Sequence, residues 1–272
     1  MSVKINVNYF SLSQICESGQ CFRLKEIEEG VFEIISGNKY LRAFQESDTS
    51  EVLFECSDEE YESYWKHYFA IDEDYDKYIA AADKEDEYLN RAIEKGFGIR
   101  ILNQDLWEMI VSFLISQQNN ITRIRKCIDN ISRKYGEECI NQYGEVYYAF
   151  PTPDSLSDLE EDALMECNLG YRSKYVVRMA KFANENFDAI KKLKSMSYEE
   201  AHSELLKHYG IGKKVADCIC LFALHHIEAF PIDTHIKQVL LKYYKNGFPF
   251  DRYDGFAGVM QQYIFFYEIG KK

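Results

Sequence analysis

The sequence predicts an α+β fold. A small N-terminal antiparallel sheet domain with helices, residues 1–83, is followed by an all-helical bundle, residues 84–272. Three observations predict it. The first fifty-odd residues alternate apolar and polar side chains, the period of a half-buried strand. From about residue 84 the apolar spacing becomes helical and stays so. Proline is scarce, at 4 in 272 residues, which favours helices without long linkers.

Val3, Ile5 and Val7 alternate with polar residues, and Leu41 and Ala43 alternate with Tyr40 and Arg42. Residues 31–35 run into Ser36-Gly37-Asn38-Lys39, a hairpin-turn signal. Ser57-Asp58-Glu59-Glu60 reads as a capping box that opens a helix toward Phe69. Residues 105–115 read as an amphipathic helix, ending in Ser116-Gln117-Gln118-Asn119-Asn120. Pro151-Thr152-Pro153-Asp154 breaks the chain before another helix. Residues 198–209, 213–225, 234–244 and 255–269 complete the bundle, with no internal repeat.

Composition narrows the function. No apolar run reaches the roughly 18 residues needed to cross a bilayer. The first residues lack a signal peptide's apolar stretch. The expectation is a cytoplasmic monomer, nucleoid-associated in a bacterium. Cysteines stand at 16, 21, 56, 127, 139, 167, 218 and 220, with no Cys-x-x-Cys pair, and read as reduced core thiols. No metal cluster and no cofactor are expected. The net charge of −13 argues against a nucleic-acid partner when the chain is taken whole. Its distribution reverses that conclusion. Residues 1–100 carry 11 Lys+Arg against 22 Asp+Glu, whereas residues 170–245 carry 13 against 8.

The basic excess falls on the most informative stretch, Gly210-Ile211-Gly212-Lys213-Lys214-Val215-Ala216-Asp217-Cys218. Two glycines one residue apart allow a sharp turn and a close approach to another surface. The helix that follows begins with free N–H groups and a partial positive charge, which suits a phosphate oxygen. Lys214, just inside that helix, is a candidate amine nucleophile. Asp233 places a carboxylate nineteen residues later, at the start of the next helix. Taken singly, these residues also fit a structural turn with a surface lysine and a helix-capping Asp.

The run Gly-Ile-Gly-Lys-Lys-Val-Ala-Asp-Cys-Ile-Cys-Leu, with Pro231-Ile232-Asp233-Thr234-His235 downstream, resembles the helix-hairpin-helix DNA glycosylases (the HhH-GPD superfamily), and among them the 8-oxoguanine branch. The resemblance runs from Gly19-Gln20-Cys21-Phe22-Arg23 to Phe265. It implies a base-excision-repair glycosylase with AP lyase activity, acting on double-stranded DNA containing oxidised guanine opposite cytosine. Such an enzyme flips its target base out of the stack. Lys214 and Asp233 are then the catalytic pair. The Gly19 carbonyl, Gln261, Phe265 and Cys218 form the base pocket. Gly210, Gly212, Val215 and His235 grip phosphates. Asn119 touches backbone, Tyr171 enters the stack, and Arg123 and Arg172 reach the orphaned cytosine. Gln118 departs from the pattern, since an Asn usually fills the vacated space. Some relatives carry a four-cysteine iron–sulfur site after the Asp, but no Cys follows Cys220 here. Two alternatives stay open: a glycosylase for alkylated or other damaged purines, whose non-lyase members generally lack the lysine, and a non-catalytic DNA-binding hairpin module.

Overall fold

The structure, a computed structural model, describes residues 1–47 and 49–271. Strand β1 (Val3–Asn6) and helix α1 (Leu12–Glu17) precede strands β2 (Leu24–Glu28), β3 (Val31–Ser36), β4 (Lys39–Phe44) and β5 (Glu51–Phe54). The five strands pair antiparallel in the order β1-β5-β4-β3-β2. Ser36 pairs with Lys39, so the β3–β4 hairpin closes over the two residues Gly37 and Asn38. Gly37 has φ +58°, a conformation that glycine adopts without strain. Alternate residues of β3 point inward, and Phe32, Ile34, Leu41, Val52 and Phe54 pack on Trp65 and Phe69.

The segment after the sheet differs from a plain capped helix. Short α2 (Asp58–Glu60) and α3 (Lys66–Tyr68) flank a π-helical turn, Tyr61–Trp65. Ser57 Oγ accepts the Glu60 N–H at 3.1 Å, but the Glu60 carboxylate accepts from the Trp65 indole N–H at 3.0 Å. The reciprocal half of the expected capping box is therefore missing, because burying Trp65 demands a partner for its N–H.

Helices α4 (Tyr75–Ala80), α5 (Glu87–Lys95), α6 (Leu106–Ser116) and α7 (Ile121–Tyr135) start the bundle. A two-stranded hairpin, β6 (Glu138–Ile140) and β7 (Val146–Tyr148), interrupts it, against the expectation of unbroken helix. Then come α8 (Pro153–Ser157), α9 (Ser173–Glu185), α10 (Phe187–Lys192), α11 (Tyr198–Leu205), α12 (Lys213–Ala223), α13 (Thr234–Tyr243) and α14 (Ala257–Ile269). Helix α11 ends four residues before Tyr209, because the chain turns there into the Gly210 hairpin.

Helix α6 is the central correction. It is buried on every side rather than amphipathic, with all of its residues except Trp107 and Ser116 inaccessible. Glu108 and Ser112 make the polar face read from the sequence, and both are buried. Glu108 Oε2 accepts the Gly37 N–H at 2.8 Å and pairs with Arg23 at 3.4 Å, tying α6 to the β3–β4 turn. Burial pushes its carboxyl up to about 7 against the pull of Arg23. Among the described residues, no helix is long and apolar enough to cross a membrane.

Candidate active site

The hairpin is built by two glycines with different tasks. Gly210 has φ +90°, and a Cβ there would lie 2.6 Å from the Tyr175 ring. It is required for both conformation and close packing. Gly212 caps α12 in extended conformation, and a Cβ there would meet open space. The first helical bond of α12 runs from Ala216 N–H to Gly212 O at 2.9 Å. The N–H groups of residues 213–215 thus have no acceptor within the helix and form an anion-binding end.

Lys214 and Asp233 meet at one small cavity. Its other walls are Gly19, Phe113, Cys218, Phe222, Pro231, Gln261, Gln262 and Phe265. All six residues assigned from the sequence to catalysis and base binding are therefore brought together. Lys213 is exposed and does not line the cavity. Lys214 Nζ lies 5.5 Å from the centroid of Phe113, whose ring stacks on Phe222. Burial pushes the Cys218 thiol up in pKa, with the adjacent Lys214 pulling the other way. Asp233 caps α13: its Oδ1 accepts the Ile236 N–H at 2.8 Å. No ion pair joins Lys214 to Asp233 among the described residues.

The base-facing wall offers unmatched acceptors. Gln261 Nε2 donates to Pro231 O at 2.9 Å, while its buried Oε1 has no partner. The Gly19 carbonyl accepts no hydrogen bond among the described residues. Gly19 has φ +74°, and a Cβ there would press on Phe265 at 3.0 Å and Ile121 at 3.3 Å. The cavity measures about 50 Å³, well below the roughly 300 Å³ of small ligand sites. Phe113, Cys218, Phe222, Gln261 and Gln262 are buried, so room for a purine must come from the half-buried Phe265 ring. His235, in the first turn of α13, stands edge-on to that ring at 6.2 Å.

Three buried glutamines that sequence reasoning missed hold Gly19 in place. Gln262 Nε2 donates to Ser18 O at 2.7 Å. Gln20 spans Leu102 N–H and Arg100 O, both at 2.9 Å, and Gln104 donates to Gln20 O at 2.8 Å. The one available signal was the Gln261-Gln262 pair inside an otherwise apolar helix, which must find buried partners.

The second cluster lies on the loops before α7 and α9. Gln118 is exposed, with φ +48°, a left-handed conformation unusual for a non-glycine residue. Its Oε1 lies 3.4 Å from the hydroxyl of the exposed Tyr171. Asn119 turns inward, its Nδ2 donating to Ile115 O at 3.1 Å. Arg123 is exposed, and its guanidinium lies 3.5 Å from Asn168 O. Arg172 is not free in the same way. It is buried, and its guanidinium donates to Gln117 O at 2.7 Å, Gln118 O at 2.9 Å and Leu169 O at 3.3 Å. Gln117 in turn donates to Gly210 O at 2.9 Å. The two loops and the hairpin are thus bound into one surface.

Comparison with known proteins places both domains in one family. Residues 2–110 match the family model described as the N-terminal domain of 8-oxoguanine DNA glycosylase, and residues 111–247 match that of HhH-GPD superfamily base excision DNA repair proteins. An N-glycosylase/DNA lyase of Saccharomyces cerevisiae is 34% identical over 159 residues, covering 54% of this chain and 42% of its own. A probable N-glycosylase/DNA lyase of Methanothermobacter thermautotrophicus is 29% identical over 177 residues, covering 57% and 56%. The chain therefore spans about half the length of these curated relatives. A solved structure, the 8-oxoguanine glycosylase/lyase of Clostridium acetobutylicum with double-stranded DNA containing cytosine opposite 8-oxoG, is 34% identical. It superposes with a TM-score of 0.92 over 99% of this chain and 96% of that one. With both family models and the whole-chain superposition matched, the chain belongs to the 8-oxoguanine glycosylase branch of the HhH-GPD superfamily.

Proposed function

We propose that this chain is a bifunctional base-excision-repair enzyme that excises 8-oxoguanine opposite cytosine and then cleaves the strand as an AP lyase. One observation carries the reading: an amine and a carboxylate from separate helices share a cavity with a glycine carbonyl and an orphaned amide oxygen. The hairpin N–H groups and the start of α13 with His235 hold phosphates without reading sequence. Tyr171 and Gln118 hold the opened stack. The flipped base enters against Phe265 and Cys218. Gln261 Oε1 accepts from the N1–H and amino group of a guanine-type edge. Gly19 O accepts the N7–H that 8-oxoguanine has and guanine lacks.

Lys214 Nζ attacks C1′ as the bond from C1′ to N9 breaks, and the electron pair leaves with the base. Asp233 stabilises the positive charge that develops on the sugar. The nitrogen loses a proton, expels the ring oxygen and becomes a protonated imine. Loss of a C2′ proton then ejects the 3′-phosphate by β-elimination, and water releases the lysine. No step calls for a metal or cofactor. The work is placed in the cytoplasm, at the nucleoid in a bacterium, by a monomer.

Cytosine reading falls to Arg123, because the donors of Arg172 are spent on loop carbonyls. An arginine satisfies cytosine's N3 and O2, whereas adenine's N6 amino group opposes a donor. Such mismatches cost about 1–3 kcal/mol, roughly ten- to a hundredfold. Single-turnover base release is therefore expected to be fastest for 8-oxoguanine opposite cytosine, and Arg123→Leu should narrow the gap to adenine more than it slows cleavage opposite cytosine. Faster release of 3-methyladenine than of 8-oxoguanine would overturn the proposed substrate.

A further inference from the structure

A second cavity, much larger than the catalytic one, lies elsewhere. It measures about 810 Å³ and lies between the outer face of the β2–β4 sheet, helix α7 and the β6–β7 hairpin. It shares no lining residue with the catalytic cavity. We propose that it binds a small anion carrying a planar ring, of the chemical class of a nucleoside monophosphate.

Three independent features point to that class. The first is a set of unmet polar atoms. Arg42 Nε, Arg125 Nε and Ser132 Oγ are buried without hydrogen-bond partners, and all three residues line this cavity. Ser132 is only 2% exposed. Buried donors left unpaired cost about 1–3 kcal/mol each, so three of them on residues around one cavity call for an acceptor. Guanidinium groups are suited to phosphate or carboxylate oxygens.

The second feature is charge. The lining carries Arg23, Lys25, Arg42, Arg125, Lys126 and Arg133 against three acids. Those acids are matched one for one: Glu33 with Lys25 at 2.7 Å, Glu145 with Arg42 at 2.8 Å and Asp129 with Arg133 at 2.9 Å. Arg23 is taken by Glu108. Among the described residues Arg125, which donates to Cys16 O at 2.6 Å, and Lys126 have no acid partner, in a chain whose net charge is −13.

The third feature is the wall opposite. Tyr40 and Tyr147 meet at 5.2 Å between ring centroids, both half-buried, and exposed Ile27 and Val146 flank them. An aromatic surface beside an anion hole accepts a ring through stacking and its phosphate through the arginines. The volume suits one such molecule. The matched acids and the acidic sheet domain repel a longer polyanion.

Calorimetric titration of the full chain with guanosine monophosphate, guanosine and inorganic phosphate tests this. Saturable binding of the monophosphate is expected, with guanosine and phosphate each at least tenfold weaker. Arg42→Gln and Ser132→Ala should weaken it at least tenfold while leaving 8-oxoguanine release unchanged. Ser132→Ala keeps the test clean, since removing an orphaned hydroxyl does not unfold a core. Lys214→Gln should bind the monophosphate like wild type. No saturable binding, binding unaltered in both cavity variants, loss of binding in Lys214→Gln, phosphate binding as tightly as the nucleotide, or oligonucleotide binding that Arg42→Gln and Ser132→Ala weaken as much as nucleotide binding would each overturn the proposal.

Discussion

Asp233 caps a helix and, in the proposed reaction, supports the chemistry with the same carboxylate, and the two roles separate by substitution. Its Oδ1 caps α13 while the group lines the cavity with Lys214. Asn caps a helix about as well as Asp, so Asp233→Asn should leave the urea midpoint unchanged. It should also slow single-turnover base release by roughly 10²-fold or more, the loss typical of one preorganised electrostatic partner. Unchanged release with a lowered midpoint would reduce Asp233 to a cap. Gln118 carries a different tension. Its φ of +48° is a conformation that Asn tolerates better than Gln. That gives Gln118 its cost. Gln118→Asn should raise stability by up to about 1 kcal/mol. A lowered melting temperature would show that Gln118 gains more from its contact with Tyr171 than it loses in backbone strain.

At the scale of elements, the hairpin glycines make opposite predictions. Gly210→Ala combines positive φ with a clash against Tyr175 and should cost about 1–3 kcal/mol in chemical denaturation. Gly212→Ala meets open space and should cost under about 1 kcal/mol. Its methyl nevertheless stands where a phosphate must approach, so affinity for lesion-containing duplex should fall. Equal stability losses, or undiminished DNA affinity in Gly212→Ala, would refute the division. The hairpin was legible in the sequence because its determinants are local: two glycines, a lysine and a carboxylate at fixed spacing. Helix α6 was misread because Glu108 and Ser112, four residues apart, mimic a solvated face. The partners of Glu108, Arg23 and Gly37, come from 71 to 85 residues away in sequence. Separations of 80 to 244 residues hid the roles of Gln20, Gln104 and Gln262 around Gly19. Arg172 was placed on the right loop, but the carbonyls of Gln117 and Gln118 that absorb its charge are invisible to local pattern.

Over the whole molecule, sheet and bundle are joined through a carboxyl with a raised pKa. Glu108 rises from 4.5 to about 7 on burial, so between those values the folded protein holds a proton that the unfolded chain has lost. Its contribution is favourable at low pH and declines as pH climbs through that window, by up to about 3 kcal/mol in all. The stability difference between wild type and Glu108→Gln should therefore shift against wild type from pH 5 to pH 8. A difference that stays flat would show that Arg23 and the Gly37 N–H keep Glu108 charged throughout. The charge distribution makes its own prediction. With acid concentrated in residues 1–100 and base in 170–245, only a few phosphates are neutralised, and log affinity for DNA should fall gently with log salt. A slope as steep as that of a strongly basic protein would mean that the acidic surface is not felt.

In the proposed reaction Lys214, and not its neighbour, becomes covalently joined to the sugar. Borohydride reduction during reaction with a duplex carrying a single 8-oxoguanine opposite cytosine fixes any imine as a stable crosslink. Lys214 lines the cavity while Lys213 is exposed outside it. Wild type and Lys213→Gln should both crosslink, and Lys214→Gln should bind the duplex without crosslinking or releasing the base. A crosslink that persists in Lys214→Gln and vanishes in Lys213→Gln would contradict the account.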